Sequence, residues 1–218
     1  MIGTIQPLLK FTSMRVLDWI FPGQVHLTDA DVAHIAEAWP LLEQLRIKSL
    51  SRDYVSPATL SSVFVAARQC PRLERLTLPV NVSRLPNMAG EPFYHTEDSE
   101  FRHEHIKVIE LGTCFVDATR LAAIASTFAQ AFPRLRSIQL DLPIAEEDIV
   151  DDSDVGYRTF GGRLCTAIQT LRQAKESGRI ASWTDEGTLK ILVRYFEASW
   201  DTDRRGEYNS CDEVLSYL

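Results

Sequence analysis

The sequence lacks a long hydrophobic run, an excess of basic residues and a recognisable leader. No stretch of eighteen apolar residues occurs, so no transmembrane helix is predicted. The first residues, "MIGTIQPLLKF", are too short and too weakly charged for a secretory signal. The 23 Lys and Arg residues are outnumbered by 30 Asp and Glu residues, which gives a net charge of −7. This balance disfavours binding to nucleic acids and to anionic membranes, because both require a basic surface.

Closely spaced cysteines and catalytic motifs are also missing. The four cysteines are scattered, a pattern typical of reduced thiols in a cytoplasmic or nuclear protein: Cys70, Cys114, Cys165 and Cys211. No G-x-S-x-G elbow occurs, and the glycine pair in "FGGRL" follows no strand and precedes no Lys-Ser/Thr. We therefore predict no enzyme, no catalytic residue and no cofactor. A hydrolase whose triad is assembled only in space remains an alternative.

Metal sites are weakly indicated at two places. In a strand, His103 and His105 would share a face and could hold a metal, but no third ligand follows at a usable spacing. A polar approach to a strand is the simpler interpretation. The acidic stretch "EEDIVDDSDVG" lacks the glycine and glutamate of a calcium loop in register, so it is predicted to be a solvated loop. We predict no metal at either place.

The sequence does contain one short motif that recurs several times. "AWPLLEQLRI", "QCPRLERLTL" and "AFPRLRSIQL" each combine an aromatic residue or cysteine, a proline and three aliphatic residues. Their prolines, Pro40, Pro71 and Pro133, are 31 and 62 residues apart. Two further copies without proline are anchored on Thr12 and Glu104. A fixed period of this size indicates stacked structural units.

Each copy predicts a strand. The second and third aliphatic residues are two positions apart, so both point to one side of a strand, and the first closes the turn before it. The segment Pro79 to Arg102 has no helical periodicity and is predicted to be an irregular connection. The predicted strands lie near residues 14–19, 42–47, 73–78, 106–111 and 135–140.

Three helices are predicted between the strands, and a proline ends several of them because the residue before proline avoids the α region. Thr28 or Asp29 is expected to cap the first helix. Ser56 is expected to cap the second, with Pro57 at its first helical position, and Asp117 is expected to cap the third. Their inward faces are predicted to be Val32, Ile35, Ala36 and Trp39; Leu60, Val63, Phe64 and Ala67; and Leu121, Ile124, Ala125 and Phe128.

These strand–helix units resemble leucine-rich repeats, through the L-x-x-L-x-L pattern. The junctions "AEAWPLLEQL" and "AARQCPRLERLTL" are similar to those of basidiomycete-type fungal F-box/LRR proteins. The resemblance covers roughly residues 8 to 142. It implies an α/β fold, a short ribonuclease-inhibitor-like (RNI-like) solenoid of about five parallel strands with helices on the convex side. Only thirteen residues precede the first predicted strand, so no F-box is expected here. A Skp-type adaptor would be a partner only if an F-box were present upstream.

The resulting domain organisation has four parts. Residues 1–143 form the repeat array, 144–156 an acidic loop, 157–200 a helical C-terminal cap and 201–218 a polar tail. A solenoid needs a cap because its last unit otherwise exposes the core, and "IQPLLKF" would have to cover the first unit. The inward faces of the cap helices are predicted to be Leu164, Ile168 and Leu171, and Leu189, Leu192, Val193 and Phe196.

A binding site is expected on the concave face, where the residues between the buried aliphatics point. The candidate protein-binding residues are Gln44, Arg46, Lys48, Arg75, Thr77, Glu110 and Gln139. Arg46, Lys48 and Arg75 form a basic spot that could recognise an acidic peptide, although any repeat array needs polar residues here for solvation alone. The resemblance implies a non-catalytic protein-interaction module, as in the substrate-recognition part of a ubiquitin-ligase receptor. A truncated structural fragment without a specific partner is the alternative.

Overall fold

The computed structural model of the protein describes residues 5–49, 51, 56–82, 101–112, 118–140, 155–180 and 186–205. Within these ranges the chain forms five strands and five helices. In chain order they are β1 (Val16–Phe21), α1 (Asp29–Ala38), β2 (Gln44–Ser49), α2 (Ser61–Gln69), β3 (Arg75–Leu78), β4 (Val108–Leu111), α3 (Ala118–Ala131), β5 (Ser137–Leu140), α4 (Val155–Glu176) and α5 (Glu186–Arg205).

The strands form one parallel sheet whose order, β1-β2-β3-β4-β5, follows the chain. This confirms the predicted α/β class and the five parallel strands. The register places one buried aliphatic residue of each strand in a single row: Leu17, Leu45, Leu76, Ile109 and Ile138. Because side chains alternate along a strand, the residues directly before and after each member of this row point to the opposite face of the sheet.

Every strand begins two residues later than its predicted range. The first aliphatic residue of each copy lies in the turn before the strand, where its amide already has a partner. The Leu42 N–H donates to the Trp39 carbonyl at 3.1 Å, and the Leu73 N–H donates to the Cys70 carbonyl at 3.0 Å. These amides are therefore not available to the ladder, and the strands start at Val16, Gln44, Arg75, Val108 and Ser137.

Helix α1 begins as predicted, with Thr28 as its N-cap. The Asp31 N–H donates to Thr28 Oγ1 at 3.1 Å, and the Thr28 N–H donates to Asp31 Oδ2 at 2.9 Å, which completes a capping box. Asp29 has a different role, because its carboxylate accepts from the Thr59 N–H at 2.7 Å and from Thr59 Oγ1 at 2.9 Å. It also accepts a hydrogen bond from Ser62 Oγ, so Asp29 ties α1 to the start of α2.

The predicted start of α2 at Ser56 and Pro57 is wrong. The helix begins at Ser61, because the Ser56 hydroxyl is used elsewhere: it donates to the Leu27 carbonyl at 3.1 Å and accepts from the Ala58 N–H at 3.3 Å. The predicted cap of α3, Asp117, lies outside the described residues. The predicted inward faces of α1, α2 and α3 are all buried, with every side chain at most 3% exposed.

Additional elements close the hydrophobic core next to the first and the last strand. Ile5 is fully buried and Leu9 packs against the same core, so the segment before β1 covers the first unit. Helix α4 packs against β5 and α3, and α5 packs against α3. The predicted inward residues of α4 are buried; on α5, Leu192 and Phe196 are buried while Leu189 and Val193 are half-buried.

The bounds of these last helices differ from the expected segments. Helix α4 starts at Val155 and so includes the last two residues of the predicted acidic loop, and α5 runs on to Arg205, into the predicted polar tail. Residues 141–154 and 206–218 lie outside the described part of the chain. Across the described ranges, the helices lack the combination of length and apolar character needed to span a membrane.

Candidate functional site

One face of the sheet remains accessible to solvent. The aliphatic row faces the helices and the core, whereas the alternate strand residues are mostly exposed or half-buried. Val16 and Ile20 on β1 are 56% and 45% exposed. Parallel sheets are usually covered on both faces, so an accessible face is an unusual feature of a parallel sheet. We call this surface the open sheet face.

The structure brings all seven sequence-predicted site residues to the strands of the open sheet face. Gln44 pairs with Arg75 in one row, and Arg46, Thr77, Glu110 and Gln139 are successive partners in the next. Lys48 lies towards the carboxyl end of β2, opposite Ile20. Thr77, at 9% exposed, is the most buried of the seven, so it contributes little to the accessible surface.

The predicted basic spot is smaller than the sequence indicated. Arg46 Nη1 lies 3.3 Å from Asp18 Oδ2 across the β1–β2 pair, so the charge of Arg46 is balanced within the protein. Both side chains are partly exposed, at 34% and 42%, and such a pair contributes about 0–1 kcal/mol to stability. The pair could not be inferred from the sequence alone, because it requires the register between neighbouring strands.

A shallow depression with a volume of about 30 Å³, open to solvent, lies at the carboxyl ends of β2, β3 and β4. Its polar lining includes Lys48, Ser49, Ser51, Thr77 and Glu110. Pro79 and Gly112 form part of the wall, and a Cβ atom on Gly112 would lie 2.8 Å from the Pro79 Cα. Glycine is therefore required for this close approach of the two chain segments. The sequence signal was the proline and glycine at matching positions of two repeats.

The histidine pair is a structural feature of the repeat junction. His103 is buried and lies in the turn before β4, not in the strand that a shared metal-binding face would require. Its Nε2–H donates to the Cys70 carbonyl at 3.1 Å, and its Nδ1 accepts from the His105 and Ile106 amides at 3.3 and 3.2 Å. Both ring nitrogens are therefore occupied by hydrogen bonds within the protein.

His103 belongs to a column of residues one position before the last four repeat anchors: Trp39, Cys70, His103 and Phe132, all at most 4% exposed. The Cys70 thiol donates to the Trp39 carbonyl at 3.5 Å, and His103 in turn donates to Cys70. Each of these two polar side chains thus contacts the backbone of the preceding repeat. Burial raises the pKa of the Cys70 thiol to about 11, so it stays protonated and able to donate.

The burial of His103 predicts a pH-dependent stability. Desolvation lowers its pKa below the ordinary value of 6.5, so below pH 6.5 the unfolded chain binds a proton that the folded chain does not. The free energy of unfolding should therefore fall as pH decreases from about 7 towards the folded-state pKa of His103. Urea unfolding between pH 7.5 and 5.5 should show that part of this slope disappears in His103→Gln.

The matched control for this prediction is His34→Gln, because His34 is exposed on α1. It should leave the pH slope of the wild-type protein unchanged. Glu104 raises the pKa of His103 and His105 lowers it, through their charges. Both residues are therefore left unchanged in the two variants that are compared. An identical slope in wild type and His103→Gln would contradict the prediction.

No other chemical centre emerges among the described residues. They contain no group of three or more His, Cys, Asp or Glu side chains arranged to hold a metal. Gly161 and Gly162 lie inside α4, so they form no phosphate-binding loop. Cys70 and Cys165 are free thiols whose pKa values are raised by burial. The acidic stretch from Glu146 to Asp154, Cys114 and Cys211 lie outside the described part of the chain.

Comparisons with known proteins give limited matches. No protein-family model matches the chain, and no solved structure matches it. Isoflavone-7-O-methyltransferase 9 of Medicago sativa is 27% identical over 92 residues, which is 42% of this chain and 26% of that protein. Isoflavone-7-O-methyltransferases 6 and 8 of the same organism are 28% identical over 91 residues, or 42% of this chain and 25% of each protein. The match thus spans about a quarter of the length of these curated proteins.

Proposed function

We propose that the chain is a non-catalytic protein-interaction module, built as a short leucine-rich-repeat solenoid of the F-box-associated kind, that binds a partner on its open sheet face. The observation that carries this proposal is the accessible face of a chain-order parallel sheet, with apolar and charged side chains side by side. Extended surfaces of this mixed character are suited to binding proteins. The depression beside Lys48 and Glu110 adds a concave feature at one edge.

The regularity of the backbone supports the solenoid interpretation. The same hydrogen bond recurs before four successive strands, from an amide to the carbonyl in the preceding unit. Glu43 bonds to Arg15 at 2.7 Å, Glu74 to Glu43 at 2.7 Å, Lys107 to Glu74 at 2.8 Å and Arg136 to Lys107 at 2.8 Å. Repeating contacts between nearest neighbours are the basis of a solenoid. Helices α4 and α5 then serve as the C-terminal cap.

In this proposal the module acts in the cytoplasm or nucleus, as the substrate-recognition part of a ubiquitin-ligase receptor. The recognised segment carries both apolar and acidic groups, because Arg75 and Lys48 offer positive charge on the open sheet face while Val16 and Ile20 offer apolar area. A Skp-type adaptor joins the assembly only if an F-box is present upstream of the repeats. No bond is made or broken by the module itself.

The matches to methyltransferases favour one alternative, O-methyl transfer. Against it stands the strand order. In doubly wound α/β proteins, ligands bind where the strand order reverses, and the described sheet runs in chain order without a reversal. The further alternatives are a structural fragment with no specific partner and a hydrolase with an unrecognised site. Calorimetric titration with S-adenosylmethionine tests the methyl-transfer alternative. Saturable binding would favour methyl transfer over the interaction module.

A peptide-display selection tests the proposed binding face. Peptides enriched on the wild-type protein should lose about ten-fold or more in affinity for Lys48→Glu/Arg75→Glu, because the cost of facing like charges amounts to about 1–2 kcal/mol in such contacts. The matched control is Arg194→Glu, an exposed charge reversal on α5. Both variants should unfold at the same temperature as the wild-type protein, which shows that a loss of binding does not come from a loss of folding. Equal binding by both variants, or no enrichment at all, would reject the open sheet face as the site.

A further inference from the structure

The edge strand β1 has features that the other end of the sheet does not share. Beyond β5, the protein places helix α4, whose Cys165 thiol donates to the Arg136 carbonyl at 2.9 Å just before the strand. Among the described strands, β1 pairs with β2 alone. β1 is also six residues long, whereas β3, β4 and β5 have four. Natural proteins usually shorten, cover or charge such an edge.

The backbone of β1 presents hydrogen-bonding groups on this outer side. The Arg15 carbonyl accepts hydrogen bonds from the Glu43 and Gln44 amides. The N–H and C=O groups of every second residue, counted from Arg15, therefore point to β2. The N–H and C=O groups of Val16, Asp18 and Ile20 alternate with these and point outward. Within the described ranges, none of these outward groups has a backbone partner. They form a continuous row long enough to accept another strand.

The side chains at the same three positions determine which side chains the added strand should have. Val16 and Ile20, 56% and 45% exposed, flank Asp18 on the open sheet face. Asp18 already contacts Arg46 on its β2 side at 3.3 Å, and its carboxylate remains 42% exposed. A residue added opposite Asp18 on the outer side meets a negative charge between two apolar side chains. Cross-strand pairing there favours a cation flanked at two-residue spacing by apolar residues.

We infer that the β1 edge accepts an extended segment of another protein as a sixth strand, with an apolar–x–basic–x–apolar pattern centred on Asp18. Backbone hydrogen bonds supply affinity and the three side-chain contacts supply selectivity, as in other cases of strand addition. The pattern is symmetric, so it fits the edge in either direction. This inference goes beyond the proposed function, since it uses the backbone edge of β1 and Asp18. It shares the apolar side chains of Val16 and Ile20 with the proposed binding face, but not the basic residues Lys48 and Arg75.

A second copy of the protein fits this edge less well. In a two-fold antiparallel pairing centred on Asp18, Val16 would face Ile20 of the other copy, but Asp18 would face Asp18. Like charges directly opposite each other in a sheet are destabilising. Charge complementarity therefore favours a partner with a basic residue over self-pairing.

The probe is a capped seven-residue peptide of alternating threonine and valine with lysine at its centre. It should bind and slow amide hydrogen exchange at Val16, Asp18 and Ile20. A peptide with glutamate at the centre should bind about five-fold more weakly, the factor expected for a cross-strand charge pair. Asp18→Asn should still bind but lose this preference between the two peptides.

Ile20→Pro is the matched disrupting variant. Because the Ile20 N–H points outward, proline there removes no hydrogen bond to β2, and an edge strand tolerates it. It should keep the unfolding midpoint of the wild-type protein and lose peptide binding, and Ile20→Lys should weaken binding while retaining every backbone group. Lys48→Glu/Arg75→Glu should bind the peptide as wild type does, so the edge and the proposed binding face can fail separately.

Three results would overturn the inference. The first is no protection of the β1 amides at peptide concentrations up to about 1 mM. The second is equal binding by wild type and Ile20→Pro. The third is a dimer of the protein alone, seen by sedimentation and abolished by Ile20→Pro, which would assign the edge to a second copy.

Discussion

Replacing Leu76 with alanine is expected to lower the free energy of unfolding by about 3–4 kcal/mol. Leu76 is fully buried at the centre of the aliphatic row, between Leu45 on β2 and Ile109 on β4. The sheet holds both neighbours in place, so the surroundings can close the resulting cavity only partly. Urea unfolding followed by circular dichroism measures the change.

The position along the row should set the size of the effect. Leu17→Ala lies at the edge strand, is already 8% exposed and has a strand on one side only, so about half the loss is expected there. Arg75→Ala is the matched control, since Arg75 precedes Leu76 on the same strand and is exposed. It should change stability by no more than about 0.5 kcal/mol. Equal losses at Leu17 and Leu76 would contradict the central position of Leu76 in a single row.

Replacing Arg172 with alanine is expected to cost about 3 kcal/mol and to lower the melting temperature by about 10 °C. Arg172 on α4 donates hydrogen bonds to the Leu135 carbonyl at 3.0 Å, to the Ala129 carbonyl at 3.5 Å and to the Phe132 carbonyl. These carbonyls lie at the end of α3 and in the turn to β5, where a helix leaves acceptors without internal partners. Burial lowers the pKa of the guanidinium, which reflects its partly desolvated position.

Arginine is needed here for its shape as well as its charge. The planar guanidinium reaches three acceptors at once, which the point charge of lysine cannot do. Arg172→Lys should therefore lose most of the stability that Arg172→Ala loses. Arg194→Ala, an exposed position on α5, is the matched control and should leave the melting temperature unchanged in a calorimetric scan. A wild-type melting temperature for Arg172→Lys would show that charge alone suffices.

The aliphatic row could be predicted from the sequence because it depends on a period. Three aliphatics at fixed offsets, repeated every 28 to 33 residues, require only that each copy adopt the same local structure. The helix faces followed for the same reason. The predicted strands began too early because the first aliphatic residue belongs to the turn. Its amide donates a hydrogen bond to the residue three positions earlier, to the backbone in four copies and to the His103 ring in the fifth.

The remaining misses concern contacts between repeats. Ser56 resembles a helix cap in sequence but bonds to Leu27 of the previous unit. His103 resembles a metal ligand but occupies the same junction position as Trp39 and Cys70. On the candidate site, alternation alone placed the seven residues on one face, but the pairing of Arg46 with Asp18 depends on which strand lies beside which. Such contacts join residues about 30 positions apart, and no local pattern specifies them.

The chain-order sheet has a consequence for how the protein is made. Every strand pairs with the strand immediately before it, and paired residues of the aliphatic row are only 28 to 33 positions apart. Each pairing therefore closes a loop of similar, modest entropic cost, and none waits for a distant part of the chain. β1 and β2 can meet on the ribosome before β4 has been translated. During synthesis each new unit can therefore add its strand to the edge of the unit already made.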